Sequence, residues 1–325
     1  MNTAQPTVSK QMIQTRSSAQ RKLKYIRRNY DLYLLLIPAL AVLVLFHFVP
    51  MWGLQMGFRN YKLTAGGQGP WHAISASKWV GLQNLEKVIG KKDFLRALRN
   101  TLEISVLKII ICFPLPVIFA IFLNEVHSEK FQKGLQLVVY LPHFLSWTVA
   151  AGIFVSLLNS TGAVNMILEA LGGQKIRFLM DNNYFRGVLI FSDVWKELGW
   201  GSIVYLAALA GVDQEMYEAA LIDGANRFQR IVYITLPSIM PTVTIMLILR
   251  AGSVLSDNFD QIYNMSNAAM YKVANVLGVY TYELGLKNMK YSESAAVSLF
   301  LTVINFALVM ITNAVSKRVN DYGIW

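Results

Sequence analysis

Three uncharged apolar runs, each long enough to cross a lipid bilayer, constrain this chain more than any other feature of its sequence. They cover residues 32–58, 135–158 and 295–314, and none of them contains an Asp, Glu, Lys or Arg. A bilayer core roughly 30 Å thick needs about 20 apolar residues at about 1.5 Å of helical rise each. Only 15% of all residues are charged, whereas soluble globular proteins usually carry about 25%. The sequence therefore predicts a membrane protein.

Three further apolar segments have a similar length but contain a few charged residues. They cover residues 101–123, 185–211 and 234–256, and the charged residues are Glu103, Lys108, Arg186, Asp193, Lys196, Glu197 and Arg250. Together, the three uncharged runs and these three segments predict an all-α, polytopic fold with six transmembrane helices. The first span is far longer than the apolar core of about 7–15 residues in a cleaved signal peptide, so we expect it to remain as an anchor.

A basic cluster from Arg21 to Arg28 directly precedes the first span and favours a cytoplasmic N-terminus. With the N-terminus inside, and with this cluster counted, the inner segments carry 13 Lys or Arg and the outer segments carry 14, so the orientation depends on the position of the cluster directly before the first span. It supplies five of the charges behind the net charge of +11, and anionic lipid explains it better than nucleic acid does. We predict cytoplasmic tails at residues 1–30 and 316–325 around a transmembrane domain at residues 31–315.

The stretch YEAALIDGANRFQRIVYITLP, residues 217–237, lies between the fourth and fifth predicted spans, on the predicted cytoplasmic side. Its first half contains good helix formers, and the adjacent Ala219 and Ala220 leave room for another surface to approach closely. Gly224 can end this helix, and residues 226–233 can form a second one. The pattern predicts a short helix-turn-helix that protrudes from the membrane and is suited to docking.

The spacing of this stretch resembles the EAA motif, EAA-x3-G-x9-I-x-L-P, of permease subunits in binding-protein-dependent ABC importers. The matching residues, with the DGA of the carbohydrate-importing branch, are Glu218, Ala219, Ala220, Asp223, Gly224, Ala225, Ile234, Leu236 and Pro237. Leu236 and Pro237 are expected to begin the fifth span, since proline is tolerated in a first helical turn. The segments WVGLQNLEKVI and FLRALRNTLEIS resemble the family's lead-in to its second span. The C-terminal part, from SVLSDNFDQIYNM through NAVSKRVNDYGIW, resembles the subgroup that serves acidic or complex oligosaccharides such as pectic polygalacturonan fragments and alginate.

This resemblance implies a type I ABC importer permease fold in a multi-pass protein of the bacterial cytoplasmic (inner) membrane, with both termini in the cytoplasm. The implied partners are a second permease subunit, two cytoplasmic ATPase subunits, an extracytoplasmic solute-binding protein and an oligosaccharide. A coupling loop at about residues 212–235 would fit a groove on the ATPase, with Glu218 as its polar anchor. The chain has no G-x-x-x-x-G-K-[ST] and no H-E-x-x-H, so we expect no catalytic site, cofactor or metal on it. ATP and Mg would be bound by the ATPase.

Polar side chains within or near the spans are candidates for the translocation path, because a charge at the bilayer centre costs roughly 2.5–3.5 kcal/mol. The candidates are Lys108, Asp193, Arg250, Asn258, Asp260 and Asn305. Arg250 either meets a uronate carboxylate of the substrate or pairs with Asp257 or another helix.

Three of these candidates have alternative roles. Lys108 either adds to a positive vestibule or extends outward to the membrane surface. Asp193, Lys196 and Glu197 lie on one helical face, so Asp193 is expected to take part in a local ion pair with Lys196 rather than to contact substrate. Asn305 bonds either a sugar hydroxyl or a neighbouring helix.

Other classes of transporter and substrate remain open at this point. The aromatic residues Trp147, Trp195, Trp200 and Tyr205 either stack on sugar rings or only pack. A neutral oligosaccharide is the alternative substrate. A secondary transporter is the alternative class, but it needs no docking loop.

Overall fold

Helices make up nearly all of the regular structure in the computed structural model, which describes residues 25, 27–63, 69–255 and 259–324. Within these residues the only β pairing is an isolated bridge between Arg59 and Trp79. The predicted all-α class is confirmed. The chain divides into two compact units, Met1–Gln55 and Met56–Trp325.

Six helices overlap the six predicted spans. They are α1 (Tyr30–Phe58), α2 (Lys92–Asn124), α3 (Trp147–Leu158), α4 (Asn182–Ala210), α5 (Arg227–Ser253) and α6 (Tyr291–Asn320). Five segments of the described chain are long and apolar enough to cross a membrane, namely Tyr30–Phe58, Lys92–Asn124, Trp147–Ala170, Arg227–Ser253 and Tyr291–Val319. Helix α4, at the fourth predicted span, is not among these five: its 29 residues extend about 43 Å, but it carries four charged residues.

Shorter helices connect the long ones. They are Pro70–Ala76, Gln83–Ile89, Glu129–Tyr140, Leu141–Phe144, Ala163–Ala170, Gln214–Ile222, Phe259–Met265, Ala268–Met270, Tyr271–Ala274, Leu277–Tyr282 and Glu283–Lys287. Helix α2 contains a turn at Cys112, directly before Pro114.

The third predicted span, residues 135–158, is not one continuous helix. The helix Glu129–Tyr140 continues into a 3₁₀ turn, the chain is extended at Leu145, and α3 begins after Ser146. The Ser146 hydroxyl accepts a hydrogen bond from the backbone N–H of Val149, at 3.3 Å, and so caps the new helix. Apolar composition alone does not distinguish a capped break from an uninterrupted helix, so this prediction was wrong.

Three apolar clusters hold the second unit together, and α2 contributes to all of them. One contains Ile104, Phe154, Phe185, Leu189, Ile262 and Met265. A second contains Phe94, Val254, Leu277, Val297 and Leu301. The third contains Val117, Ala120, Tyr205, Leu209 and Ile239. Helix α4 also approaches Glu129–Tyr140 closely at Gly199, where a Cβ would collide with the Val139 carbonyl group.

Candidate functional site

The loop between α4 and α5 has the helix-turn-helix conformation that the sequence predicts. The helix Gln214–Ile222, which we call the loop helix, begins where the Asp213 carboxylate accepts a hydrogen bond from the Glu215 backbone N–H at 3.0 Å. The chain then turns at Gly224, whose φ of +78° is a left-handed conformation that glycine adopts most readily. Asn226 begins α5 through a reciprocal capping box with Gln229.

The loop helix presents an exposed surface that combines small, acidic and apolar residues. Glu218 and Ala219 are exposed, and Ala220 is half-buried. The side chain of Ile222 is 87% exposed, and that of Phe228 is 73% exposed on the adjacent first turn of α5. Apolar side chains that lie together on a surface are typical of sites where another protein binds.

A cleft of about 330 Å³ separates the loop helix from the connection that follows α2. Its lining residues are Asn124, Glu125, Val126, His127, Leu209, Gln214, Tyr217, Glu218, Leu221, Arg227 and Arg230. The loop helix and residues 124–127 therefore lie at the same end of the second unit.

The loop helix is tied to α5 by one side-chain hydrogen bond. The Tyr217 hydroxyl lies 3.0 Å from the Thr235 hydroxyl, and Thr235 is buried. Leu236 and Pro237 do not begin the fifth helix as predicted, because α5 already begins at Arg227. A π-helical segment, Ile231–Thr235, precedes them, and the Leu236 N–H donates to the Ile231 carbonyl oxygen. This wide turn accommodates the missing N–H of Pro237 inside a helix.

Lys108 and Asp193 form a buried ion pair between α2 and α4. The Lys108 Nζ lies 2.7 Å from the Asp193 carboxylate and 2.6 Å from Gln261 Oε1, and Lys108 is only 2% exposed. Gln261 in turn donates to the Leu189 carbonyl oxygen at 2.7 Å and to the Ser192 hydroxyl at 2.8 Å. Lys108, Ser192, Asp193 and Gln261, which we call the buried polar cluster, join α2 and α4 to the short helix Phe259–Met265.

This cluster corrects two predictions. Asp193 pairs with Lys108 on another helix, and not with Lys196 one turn away. Lys108 neither extends outward to the membrane surface nor lines an open vestibule, because its ammonium group is enclosed by its partners. The part played by Gln261 and Ser192 was missed, since each lies far along the sequence from Lys108 and no local pattern connects them.

A second polar group lies near the middle of α4, next to the break before α3. His143 Nδ1 lies 2.8 Å from Glu197 Oε2, and the Lys196 ammonium donates to the His143 carbonyl oxygen at 2.8 Å. The His143 ring stacks on Trp200 with ring centroids 4.4 Å apart, and Lys196 lies over the Trp147 ring. Charged and aromatic side chains thus meet about 21 Å from the start of α4, about halfway along it.

The remaining path candidates are dispersed. Arg250 is half-buried on α5, and Asp260 is exposed near the start of the helix Phe259–Met265. The Oδ1 atom of Asn305 on α6 is buried and has no hydrogen-bond partner within the described part of the chain. Asn258, and the alternative Arg250 partner Asp257, lie outside the described residues.

Long apolar helices, charged side chains paired inside the helical unit and an exposed helical loop at one end define a polytopic membrane permease. The match is to a specific family: residues 96–321 correspond to the family described as "Binding-protein-dependent transport system inner membrane component". The chain belongs to this family, as the EAA spacing predicts. Its relatives are transport permeases, and their family is non-catalytic.

The chain is similar to two proteins of Bacillus subtilis (strain 168). It is 40% identical to Protein LplB, over 92% of both chains. It is 37% identical to the "Polygalacturonan/rhamnogalacturonan transport system permease protein YteP", over 93% of this chain and 92% of that one. These matches place the chain among permeases of sugar importers.

Solved structures show the same similarity in three dimensions. The chain matches a bacterial ABC transporter "involved in the import of the acidic polysaccharide alginate" with a TM-score of 0.83 and 36% identity, over 92% of this chain and 99% of that chain. It also matches the bacterial alginate ABC transporter "in complex with alginate pentasaccharide-bound periplasmic protein", with a TM-score of 0.84 and 36% identity, over 94% of this chain and 100% of that chain. The type I importer permease fold is therefore confirmed.

Proposed function

We propose that this chain forms part of the translocation pathway for an acidic oligosaccharide and is driven by a separate cytoplasmic ATPase that docks on the loop helix. The observation that carries this proposal is the exposure of Glu218 and Ala219 on a helix whose base is anchored to α5 through Tyr217 and Thr235. An exposed contact surface on a fixed base can transmit movement from a docked partner to the membrane helix that follows it.

The energetic requirement on this coupling is large. To shift the populations of two permease conformations from 1:99 to 99:1, nucleotide binding must favour one conformation over the other by about 5.5 kcal/mol. That free energy reaches the helices only if the loop helix stays docked in both states. Glu218 would provide the polar anchor, and Ala219 and Ala220 the close contact. Asp223, Gly224 and Ala225 would form the turn, with Leu236 and Pro237 on the attached helix.

The proposed assembly contains this chain, a second permease subunit, two ATPase subunits that bind ATP and Mg, and an extracytoplasmic solute-binding protein. The loop helix and both termini would face the cytoplasm. The helix Phe259–Met265 and the segment after it would then face outward. A secondary transporter would not need the exposed loop helix. It would be driven by an ion gradient and not by ATP, so the driving force of uptake distinguishes the two classes.

An acidic substrate is favoured by the likeness to a polygalacturonan permease and an alginate transporter. In this chain Arg250 is the residue we assign to a uronate carboxylate, because guanidinium binds carboxylate in a bidentate manner. Asp260 and Asn305 are proposed as further contacts, together with Asn258, which is outside the described residues. A neutral oligosaccharide remains the alternative.

The direct test is uptake into proteoliposomes that contain the assembled complex, with uronate and neutral oligosaccharides compared. We expect uptake that requires ATP and favours the uronate series. Uptake without ATP under an ion gradient would contradict ATP coupling, and faster uptake of the neutral series would contradict the acidic substrate. Arg250→Met should raise the apparent KM for the uronate about tenfold and leave that for a neutral sugar unchanged.

A further inference from the structure

A second cavity lies at the end of the helical unit opposite the loop helix. At one end of α4, Arg186 donates to Asn100 Oδ1 at 3.4 Å, and Asn100 donates to the carbonyl oxygen of Asn275 at 3.1 Å. At its other end α4 leads through Gly211 into the loop helix. The segment around Asn275 is therefore separated from the loop helix by most of the length of α4, about 36 Å between Arg186 and Ala210.

The cavity has a volume of about 510 Å³, within the range of about 300–1,000 Å³ that is typical of small-molecule sites. It is lined by Tyr263, Ser266, Asn267, Ala268, Tyr271, Ala274, Asn275, Val279, Glu283 and Lys287, and we call it the outer cavity. Tyr271 is 41% exposed at this cavity, so the space is open to a ligand.

Asn275 is the residue of the outer cavity that the fold alone does not explain. It is only 1% exposed, and neither its side-chain oxygen nor its side-chain nitrogen makes a hydrogen bond of good geometry within the described residues, although the amide lies near enough to the Tyr271 hydroxyl to oppose the rise in the pKa of Tyr271. Buried polar atoms are nearly always paired in folded proteins. A free amide can accept one hydrogen bond and donate two, which suits a ligand that carries adjacent donors and acceptors.

The rest of the lining indicates an uncharged polar ligand. Lys287 and Glu283 pair with each other at 3.0 Å, so their charges cancel. This bond to Glu283 raises the pKa of Lys287, and burial raises the pKa of Tyr271, so at neutral pH the lysine stays charged and the phenol stays neutral. Tyr263 adds an aromatic ring that lies in edge contact with Tyr282 at 5.0 Å.

We propose that the outer cavity binds one pyranose unit of an oligosaccharide, with the Asn275 amide bonded to neighbouring ring hydroxyls and the tyrosine rings against the sugar face. This inference rests on the proposed function for the outward orientation of the cavity. The cavity would recognise hydroxyl groups and not carboxylates, because its own charges are paired. It would therefore hold neutral and uronate units equally well, and selection for acid would occur elsewhere in the path.

The test is saturation-transfer NMR on the assembled complex in nanodiscs without the solute-binding protein, with a uronate and a neutral oligosaccharide as probes. We expect saturation of ring protons for both probes and a loss of about tenfold in affinity for both with Asn275→Leu. Tyr271→Ala should lower the affinity for both probes to a similar extent. Asn288→Leu, an exposed asparagine in the same segment, is the matched control and should change neither.

Thermal stability shows whether Asn275 is structural. Because the amide is unpaired, Asn275→Leu should leave the Tm unchanged or raise it. A clear fall in Tm, or unchanged sugar binding in both Asn275→Leu and Tyr271→Ala, would overturn the proposal. The proposal would also be overturned if these variants failed to associate with the solute-binding protein in the absence of sugar, because the cavity would then hold a side chain of that protein. If the wild-type complex imports sugar but these variants bind sugar normally, only the proposal for the outer cavity fails. If the wild-type complex binds sugar in the outer cavity but shows no ATP-driven uptake, only the proposed function fails.

Discussion

The buried polar cluster and the loop helix both contain charged side chains in a chain that has few of them, but they lie in opposite environments. Lys108 and Asp193 are enclosed, and their partners Gln261 and Ser192 belong to the same chain. Glu218 lies on an exposed helix beside exposed apolar side chains. A charge satisfied inside the chain stabilises the fold, whereas an exposed charge on a small-residue surface is available to another subunit.

The largest effect is expected from breaking the buried ion pair. Lys108→Met leaves the Asp193 carboxylate buried without its cation, which should lower the free energy of unfolding by about 3–5 kcal/mol. Thermal denaturation of the purified protein in detergent measures this loss. The double variant Lys108→Met/Asp193→Leu should recover most of it, because an apolar pair needs no desolvation of charge. A single variant as stable as the wild type would show that the cluster does not support the fold.

Charge reversal at Glu218 should abolish coupling without unfolding the protein. If Glu218 is paired in the complex, Glu218→Arg should weaken ATPase association by about 2 kcal/mol or more, at least thirtyfold, with an unchanged Tm. Co-purification of the ATPase and ATP-driven uptake are the measurements. Glu129→Arg is the control, since Glu129 is an exposed glutamate on the separate helix Glu129–Tyr140. Equal losses in both variants would assign the effect to net charge and not to docking.

The turn of the loop can be changed in graded steps at Gly224. A Cβ at this position meets no atom within 4 Å, so only the left-handed backbone opposes substitution. Gly224→Ala should reduce ATPase association about fivefold to thirtyfold, in line with about 1–2 kcal/mol for that conformation. Gly224→Asn should lose less, because asparagine tolerates it better, and Gly224→Pro should abolish coupling because proline fixes φ near −65°. The same association assay ranks all three, and a different order would contradict this account of the turn.

The smallest effect is expected at the tie between the loop helix and α5. Tyr217→Phe removes the hydroxyl that meets Thr235 and should cost about 1 kcal/mol, seen as a small fall in both Tm and uptake. Tyr233→Phe is the control, because Tyr233 is exposed on α5. An identical response of the two variants would mean that this bond does not fix the loop helix.

The helices and the loop could be predicted from sequence because their signals are local. Apolar length locates α1, α5 and α6, and the glycine turn locates the end of the loop helix. The break at Leu145 was missed, because the run around it is uniformly apolar and Ser146 caps a helix through a single hydroxyl group. The partner of Asp193 was also missed: Lys108 lies on a different helix, and nothing local distinguishes it from Lys196. Asn275 gave no signal, since its unpaired state depends on burial by several segments.

The π-helical segment Ile231–Thr235 connects the exposed end of α5 to its membrane-crossing part. One additional residue in that turn offsets the following side chains by about 100° around the axis relative to a regular helix. The residues at the start of α5 and those near Arg250 therefore follow separate angular registers on one continuous rod. If this junction returned to the regular winding, every side chain of α5 beyond it would turn together by about 100° about the helix axis relative to those before it.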